Sequence, residues 1–282
     1  MSAAVQTVPD RSAELTEPNY QFLREHLYRE SGIVLDNGKN YLLECRLIPL
    51  LKRQKLSSLN ELCTWLQRNP KDSLHRDVVE AMTTNETMFF RDLGLWQELK
   101  NTILPELIEY RKDTRRLRFW SAASSSGQEA HSLAIALIEM GLSGWDIKIL
   151  GTDFSMQMVE RARLGQYSQL EVNRGLPAPY LIKYFTRNGL QWQVKDEVKR
   201  WTSFEQLDLR QKLATYGPFD IVFCRNVLIY FDVPTKQKIL QEIRGTMFHG
   251  GHLILGGAET VLNLDTSFER RPLGRASFYR AP

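Results

Sequence analysis

Apolar residues in the first part of the chain recur at spacings of three and four positions, the period of an α-helix. They form three groups: Phe22, Leu23 and Leu27; Leu43, Leu47, Leu50 and Leu51; and Leu59, Leu62, Trp65 and Leu66. No strand-like alternation interrupts this stretch. The pattern predicts an all-helical N-terminal domain of about four short helices over residues 16–82, preceded by a disordered tail at residues 1–15.

One proline disturbs this helical pattern. Pro49 lies inside the helix predicted around residues 43–55. A proline in a helix interior costs about 3 kcal/mol, because it lacks an amide hydrogen and clashes with the preceding turn. We therefore expect this helix to be kinked or split at Pro49.

The pattern changes after residue 115. Four apolar runs are typical of buried strands, at residues 116–120, 146–152, 219–224 and 252–256. Helical segments follow the first three runs, and such alternation predicts an α/β domain with a doubly wound, Rossmann-like parallel sheet over residues 115–282. Residues 83–114 are predicted to join the two domains as a linker, with a connecting helix at 93–110.

Two parts of the second domain depart from this alternation. Short β-rich runs on either side of Asn188-Gly189, a strong turn dipeptide, predict a small antiparallel β-insert at about residues 180–200. Near the chain end, two further runs around Gly274 predict an antiparallel hairpin at one edge of the main sheet.

Composition is that of an ordinary globular protein. The 282 residues are 43% hydrophobic and 25% charged, which excludes a disordered or collagen-like chain. No apolar run approaches the ~20 residues that cross a bilayer, and residues 1–15 lack a signal-peptide core, so we expect a cytoplasmic protein without membrane insertion. Three cysteines without C-x-x-C spacing predict neither disulfides nor a zinc site. The net charge of +4 is weak support for a polyanionic partner.

The residues that end the predicted strands are the candidates for chemistry, because ligands of a doubly wound sheet bind beyond the carboxyl ends of its strands. The first strand runs into Ser121-Ala-Ala-Ser-Ser-Ser-Gly127, whose small side chains let backbone N–H groups approach an anion. The second ends at Asp153, where a carboxylate can accept hydrogen bonds from ribose hydroxyls. Each feature alone is also explained by a tight turn with a helix-capping Asp. Together they favour a nucleoside ligand.

Two missing motifs narrow the choice of nucleoside. The chain has neither G-x-G-x-x-G, the seat of a dinucleotide pyrophosphate, nor G-x-x-x-x-G-K-[ST], the cradle of a nucleoside triphosphate. A carboxylate-rich rim without a phosphate cradle suits S-adenosylmethionine. Glu129, at the start of the next helix, either favours the helix dipole or lies close to this ligand.

Three long motifs follow one another along the chain. They are Thr83-Thr-Asn-Glu-Thr-Met-Phe-Phe-Arg-Asp92, Phe119-Trp-Ser-Ala-Ala-Ser-Ser-Ser-Gly-Gln-Glu129 and Phe219-Asp-Ile-Val-Phe-Cys-Arg-Asn-Val-Leu-Ile-Tyr-Phe-Asp232. An alternative interpretation of the first is a capping turn with Phe89 and Phe90 in the core. Together, in this order, they closely resemble the chemotaxis-receptor glutamate methyltransferases, the CheR-type family. The resemblance covers nearly the whole chain from about residue 16 and implies S-adenosylmethionine-dependent O-methylation of receptor glutamates.

The resemblance also implies roles for residues at matching positions. The implied cofactor-binding residues are Asn85, Thr87, Arg91, Glu129, Asp153, Asp208, Leu209, Arg225 and Asn226. Among them Asp153 would bind the ribose, and Asp208-Leu209 would lie beside the adenine. Family members often carry Asn where Asp208 stands, which is a mild departure. The implied catalytic residues are Arg91 and Tyr230, and Tyr230 either orients the substrate or packs behind the fourth strand.

The implied reaction needs no strong base, because a glutamate carboxylate is already ionised at pH 7. The sulfonium of S-adenosylmethionine and the carboxylate lose their charges as they form an ester and S-adenosylhomocysteine. A water-poor site that aligns the reacting atoms therefore supplies most of what is needed. Arg91 is expected to hold a carboxylate, because a guanidinium does not deprotonate in proteins.

Two features bear on partners. Arg46 and Arg53, seven positions apart on a basic helix, are either solvated or dock the acidic methylation helices of chemoreceptors. The turn at Asn188-Gly189 is short, whereas family members that tether to a receptor C-terminus have a longer loop there, so we expect no high-affinity tether. We also expect a monomer and no nucleic-acid partner. Two alternative functions stay open, a cofactor-binding regulatory module without transfer activity and a nucleic-acid methyltransferase, and the missing Asn/Asp-Pro-Pro-aromatic turn disfavours the second.

Overall fold

The computed structural model describes residues 15–36, 38–273 and 277–282 of the chain. The chain divides into two compact units, Met1–Thr84 and Asn85–Pro282. The tail predicted at residues 1–15 lies outside the described residues except for Leu15, whose side chain is buried. Among the described residues, none of the helices combines the length and the apolar character that a membrane span requires.

The described part of the first unit is helical. It contains α1 (Glu17–Ser31), α2 (Asn40–Gln54), α3 (Leu59–Arg68) and α4 (Leu74–Met82). Local sequence sets their ends: Gly32 ends α1 in the left-handed conformation (φ 74°), and Ser58 caps α3 by accepting a hydrogen bond from the Glu61 N–H. The core is built from leucines at helical spacing, such as Leu23, Leu27, Leu43, Leu47 and Leu62. The predicted all-helical N-terminal domain is therefore confirmed.

A kink or a split was expected at Pro49; helix α2 runs through this residue as one element, so it is not split. Leu43 and Leu47 before the proline, and Leu50 and Leu51 after it, are all buried. This packing holds the two halves together in one helix. Pro49 itself lies on the exposed side of α2, where water can bind the carbonyl oxygen that has no amide partner.

The second unit begins with the rest of the Thr83–Asp92 motif and a helical run. The run consists of α5 (Leu93–Glu98), a π-helical turn (Leu99–Ile103) and α6 (Leu104–Arg111). It stands where a single helix was predicted, but the π turn was not foreseen. Pro105 explains it, because proline has no amide hydrogen to donate to the carbonyl oxygen four residues earlier, and a π turn shifts the bonding register just before it.

Strands and helices then alternate. In chain order they are β1 (Arg116–Ala122), α7 (Gln128–Glu139), β2 (Asp146–Asp153), α8 (Met156–Leu164), β3 (Gln166–Ser168), α9 (Gln169–Asn173), α10 (Ala178–Tyr184), β4 (Phe185–Asn188), β5 (Gln191–Val194), α11 (Asp196–Lys199), β6 (Thr202–Gln206), β7 (Phe219–Cys224), a 3₁₀ turn (Leu228–Tyr230), α12 (Val233–Gly245), β8 (Met247–Leu255), β9 (Glu269–Arg271) and β10 (Ser277–Arg280).

Seven of the described strands form one sheet in the order β6-β2-β1-β7-β8-β10-β9. The first five are parallel, and β10 is antiparallel to both β8 and β9. The predicted doubly wound sheet with a C-terminal antiparallel hairpin is confirmed, although residues 274–276, around which the hairpin was predicted to turn, lie outside the described residues.

Apolar side chains cover both faces of this sheet, as parallel strands require. On one face Phe119 of β1 belongs to a core that includes Leu133 of α7, and on the other Trp120 belongs to a core that includes Leu240 of α12. β2 and β6 lie on one side of β1, whereas β7 and β8 lie on the other, so the direction in which successive strands are added to the sheet reverses between β1 and β7. Ligands bind at such a switch point, beyond the carboxyl ends of the strands.

A second, three-stranded antiparallel sheet has the order β3-β5-β4 and precedes β6 along the chain. It is the predicted antiparallel insert, and Gly189 takes the left-handed conformation (φ 60°) in the short β4–β5 turn. The sheet starts earlier than residue 180, because β3 pairs with β5. A strand of three residues carries too little alternation to be recognised in a sequence.

Candidate active site

The loop after β1 is made of small residues and depends on left-handed backbone. Ala123 (φ 62°), Ser125 (φ 48°) and Gly127 (φ 91°) all have positive φ. A Cβ at Gly127 would lie 2.9 Å from the Cβ of Ala162, so glycine is required just before α7. The loop therefore brings backbone N–H groups and the start of α7 to the carboxyl edge of the sheet.

Asp153, the last residue of β2, anchors this loop. Its Oδ2 accepts a hydrogen bond from the Ser125 N–H at 2.8 Å, and its Oδ1 accepts one from the Ser155 N–H at 2.9 Å. Ser155, not Asp153, is the N-cap of α8, so helix capping does not explain the carboxylate. A carboxylate offers about four lone-pair sites, and this anchoring is therefore compatible with ribose binding.

Arg225, the residue after β7, is the centre of a buried ion-pair network. Its guanidinium donates to Oε2 of Glu129 at 2.7 Å, to Oδ2 of Asp92 at 2.5 Å and to the carbonyl oxygen of Arg91 at 3.1 Å. The other oxygen of Glu129 accepts a hydrogen bond from Ser121 Oγ at 2.7 Å. The Arg225 side chain is only 3% exposed. One guanidinium thus joins the end of the Thr83–Asp92 motif to β1, α7 and β7.

From Asn85 onwards, the Thr83–Asp92 motif is attached to the same loops. The carbonyl oxygen of Asn85 accepts a hydrogen bond from Ser125 Oγ at 2.7 Å. Thr87 and Arg91 are half-buried. The structure therefore brings Asn85 to the loop that Asp153 anchors and Arg91 to the Arg225 network.

The phenylalanines of the motif are core residues, as the alternative interpretation expected. Phe89 is fully buried, and its ring lies edge-on to Tyr167 (5.0 Å between ring centroids) and Phe185 (5.5 Å) of the inserted sheet. A Cβ at Gly175 would lie 2.0 Å from the carbonyl oxygen of Phe89, so the insert touches the backbone of the motif. The Thr83–Asp92 motif thus contributes Phe89 to the core and also contacts the candidate site through Asn85 and Arg91.

Asp208 and Leu209 follow β6. The residue before them, Leu207, donates its N–H to the Asp153 carbonyl oxygen at 2.9 Å, so the segment after β6 begins next to the end of β2. Leu209 is buried. The Asp208 carboxylate pairs with the guanidinium of Arg210 at 2.6 Å. Arg210 is a partner that the sequence did not indicate.

Asn226 and Tyr230 stand at the carboxyl end of β7. Asn226 is left-handed (φ 58°), and Tyr230 is the last residue of the 3₁₀ turn. Both are half-buried, so part of the tyrosine remains accessible. Ser125, Asp92 and Glu259 were missed by the sequence analysis. The first two lie within motifs that it singled out, whereas no local signal marks Glu259, which binds this segment from the loop after β8.

Arg46 and Arg53 lie on α2 in the first unit. The guanidinium of Arg46 donates to the Met82 carbonyl oxygen and to Oγ1 of Thr84, the latter at 2.7 Å. Arg53 forms an ion pair with Asp77 at 3.0 Å, and its side chain is 65% exposed. Arg46 therefore has a structural task, whereas Arg53 is accessible to a partner.

Cys224 of β7 and His131 of α7 are buried groups whose pKa values are shifted away from their usual range. Burial, with smaller contributions from Glu259 and Glu129, raises the pKa of the Cys224 thiol well above its usual value. Burial lowers the pKa of His131 to about 4, so this imidazole is neutral at pH 7. Across residues 15–36, 38–273 and 277–282, no group of three His, Cys, Asp or Glu side chains could hold a metal ion.

A parallel sheet that ends in an antiparallel hairpin, with a carboxylate anchoring the loop after its first strand, defines an α/β domain of the S-adenosylmethionine-dependent methyltransferase class. Residues 85–276 match the CheR methyltransferase SAM binding domain, and residues 18–83 match the CheR methyltransferase all-alpha domain. The chain belongs to the CheR methyltransferase family. The resemblance inferred from the three motifs and the expected cofactor are both confirmed.

Several relatives are similar along nearly their whole length. Chemotaxis protein methyltransferase 1 of Pseudomonas aeruginosa is 40% identical over 269 residues, covering 93% of this chain and 97% of that protein. Chemotaxis protein methyltransferase Cher2 of Pseudomonas putida is 38% identical, covering 93% and 98%. Chemotaxis protein methyltransferase 1 of Vibrio cholerae is also 38% identical, covering 90% and 94%.

Proposed function

We propose that this protein transfers a methyl group from S-adenosylmethionine to glutamate side chains of chemoreceptors, leaving a methyl ester and S-adenosylhomocysteine. One observation carries the proposal: the buried Arg225 network gathers Glu129 and the Asp92 end of the family motif at the sheet edge where Asp153 stands. The names of the similar proteins support chemotaxis as the setting. The protein would act in the cytoplasm as a monomer.

The charge of this edge suits the cofactor. Arg225 carries one positive charge between the carboxylates of Glu129 and Asp92, so the three groups together are formally negative. Such a site favours the ammonium and sulfonium of S-adenosylmethionine, while the nearby Arg91 can bind a carboxylate. The residues proposed to hold the cofactor are Asn85, Thr87, Arg91, Glu129, Asp153, Asp208, Leu209, Arg225 and Asn226.

The bound cofactor supplies a methyl group on a sulfonium, and the protein's own residues have to position the acceptor. A glutamate carboxylate is ionised at pH 7, so the transfer needs no general base. The buried Cys224 and His131 therefore need no role in proton transfer. Arg91 is half-buried and donates to the Glu86 carbonyl oxygen at 3.3 Å, a long hydrogen bond. We assign Arg91 to holding a carboxylate and Tyr230 to orienting the substrate through its hydroxyl.

Receptor recognition is proposed for α2. This helix and the residue after it carry four basic side chains and one acidic side chain, Glu44. The basic residues are Arg46, Lys52, Arg53 and Lys55. Opposite charge would steer acidic receptor helices to it. The β4–β5 turn is short, so we propose methylation without a high-affinity tether at the receptor C-terminus. Micromolar binding of a receptor C-terminal peptide in a titration would contradict this.

A methyl-transfer assay tests the function. The purified protein is incubated with labelled S-adenosylmethionine and, in parallel, with a receptor cytoplasmic fragment or with RNA. We expect label on the receptor fragment, released by mild base as a glutamyl ester is. Base-stable label on RNA would indicate a nucleic-acid methyltransferase. Cofactor binding without any transfer would indicate a regulatory module.

A further inference from the structure

A buried carboxylate in the loop after β8 binds three backbone N–H groups at the start of the 3₁₀ turn and a fourth directly after β8. Oε1 of Glu259 accepts hydrogen bonds from Val227 at 2.9 Å and Leu228 at 2.8 Å. Its Oε2 accepts from Asn226 and Gly256, both at 2.7 Å. The Glu259 residue is 6% exposed. One side chain therefore satisfies three consecutive amides of the segment that leads to Tyr230.

This segment has no comparable partner within itself. The first N–H groups of a short helical turn have no acceptor inside the turn, and Asn226 is held at φ 58°, in the left-handed region that few non-glycine residues adopt. Glu259 supplies the acceptors that such a backbone requires. Three consecutive amides pointing at one carboxylate form a concave anion-binding arrangement, here filled by a side chain of the same protein.

Glu259 is itself fixed from the opposite side. Its own N–H donates to the Gly256 carbonyl oxygen at 3.0 Å. A Cβ at Gly256 would lie 2.6 Å from Oε2 of Glu259 and 2.8 Å from Nδ2 of Asn226. The end of β8 therefore packs directly against both the carboxylate and the segment that it binds, and there is no space for a larger residue at Gly256.

We propose that Glu259 is a positioning residue for methyl transfer. It holds the Asn226–Tyr230 segment in its working shape, so its loss lowers turnover more than it lowers cofactor affinity. Most cofactor affinity is retained because, of the nine residues proposed to hold the cofactor, only Asn226 belongs to this segment, and Asp153 is held by Ser125 and Ser155 instead. The inference rests on the proposed function, since it assigns Tyr230 to the acceptor side.

A matched control exists at the opposite end of β7 from the segment that Glu259 binds. Asp220, near the start of β7, is also a buried carboxylate; it accepts a hydrogen bond from the Arg118 N–H at 2.8 Å and pairs with Arg111 at 2.6 Å. Glu259→Gln and Asp220→Asn each remove a buried charge at opposite ends of β7. Both variants should lower Tm. Only Glu259→Gln should lower kcat, by about tenfold or more, with the Kd for S-adenosylhomocysteine within about threefold of wild type.

The second measurement is hydrogen exchange of the peptide covering residues 225–231, which needs no activity. Glu259→Gln should speed exchange there, and Asp220→Asn should not. If wild type methylates the receptor fragment, a kcat within about twofold in Glu259→Gln overturns the inference. If wild type transfers no methyl, the proposed function fails instead, and unchanged exchange overturns the Glu259 assignment. Should Glu259→Gln not fold, Glu259→Asp, which keeps the charge and shortens the reach of the carboxylate to the three amides, takes its place in both measurements.

Discussion

Arg225 and Glu129 form a buried ion pair, with Nη1 of the arginine 2.7 Å from Oε2 of the glutamate. The same guanidinium binds Asp92, so residues 96 and 133 positions away in sequence meet at one side chain. Removing either member of the Arg225–Glu129 pair leaves the other charge without this partner in surroundings that solvate it poorly.

This pair should be energetically coupled. We expect Arg225→Lys to lower stability and turnover, because an ammonium cannot span two carboxylates and a carbonyl oxygen as the planar fork does. In a double-mutant cycle with Glu129→Gln, urea unfolding should give a coupling energy of about 0.5–3 kcal/mol. Arg116→Lys is the control, since that arginine is 71% exposed. Strictly additive effects would show that the pair is not coupled.

Asp153 is predicted to govern cofactor affinity. Asp153→Ala should weaken S-adenosylmethionine binding by about 1–3 kcal/mol, the cost of leaving polar partners unpaired. Calorimetry measures this, with Asp146→Asn at the other, exposed end of β2 as control. S-adenosylhomocysteine should compete for the same site. Unchanged affinity in a folded Asp153 variant would remove this residue from the ribose role.

Arg91 and Tyr230 are predicted to act on turnover. Arg91→Ala and Tyr230→Phe should each lower kcat in a protein whose Tm is close to that of wild type. Arg91→Lys is the sharper variant, because lysine keeps the charge and loses the fork. A large loss in Arg91→Lys indicates bidentate holding of a carboxylate. Near wild-type kcat in either substitution would make that residue a packing element.

The basic helix α2 is predicted to act on receptor affinity. Arg53→Glu should raise KM for the receptor and leave S-adenosylhomocysteine affinity unchanged, and wild-type binding should weaken steeply with salt. Asp77→Asn, which releases Arg53 from its ion pair, should lower KM. Arg46→Glu should in addition lower Tm, because it breaks the bonds to Met82 and Thr84. An unchanged KM in the Arg46→Glu, Arg53→Glu double variant would mean that both arginines are merely solvated.

Stability is predicted to fall in mild acid through His131. Its pKa is lowered to about 4 by burial, whereas an unfolded histidine titrates near about 6.5. Between these values the unfolded chain binds more protons, so the contribution is full above pH about 6.5 and is lost as the pH falls towards 4. His131→Leu should flatten the pH dependence of urea unfolding in this window. The flattening should be partial, because burial also lowers the pKa of His252 to about 4 and this histidine remains. His249→Gln, at an exposed position, is the control.

Local features were the ones that could be predicted from the sequence. The loop 121–127 and Asp153 are visible because a strand, a run of small residues and an acid follow one another along the chain. The π turn before Pro105 was missed because a helical period does not register one extra residue.

Long-range partners were out of reach for a different reason. Glu259 binds amides about thirty positions earlier, and nothing in the residues around it signals a buried acceptor. Arg210 lies only two positions after Asp208, yet an Asp-x-Arg sequence is equally consistent with two solvated charges. The tertiary structure determines which of these side chains form hydrogen bonds or ion pairs with one another.

The contact between Phe89 and the three-stranded insert changes what the insert is. Tyr167, Phe185 and Gly175 pack against Phe89 of the Thr83–Asp92 motif. The insert is therefore part of the core of this domain and is not a separable addition to it. Its deletion would expose a buried phenylalanine ring and remove the support of the Thr83–Asp92 motif. In this protein the small sheet and the Thr83–Asp92 motif therefore form one structural unit, and an altered insert would have to keep its contacts with Phe89.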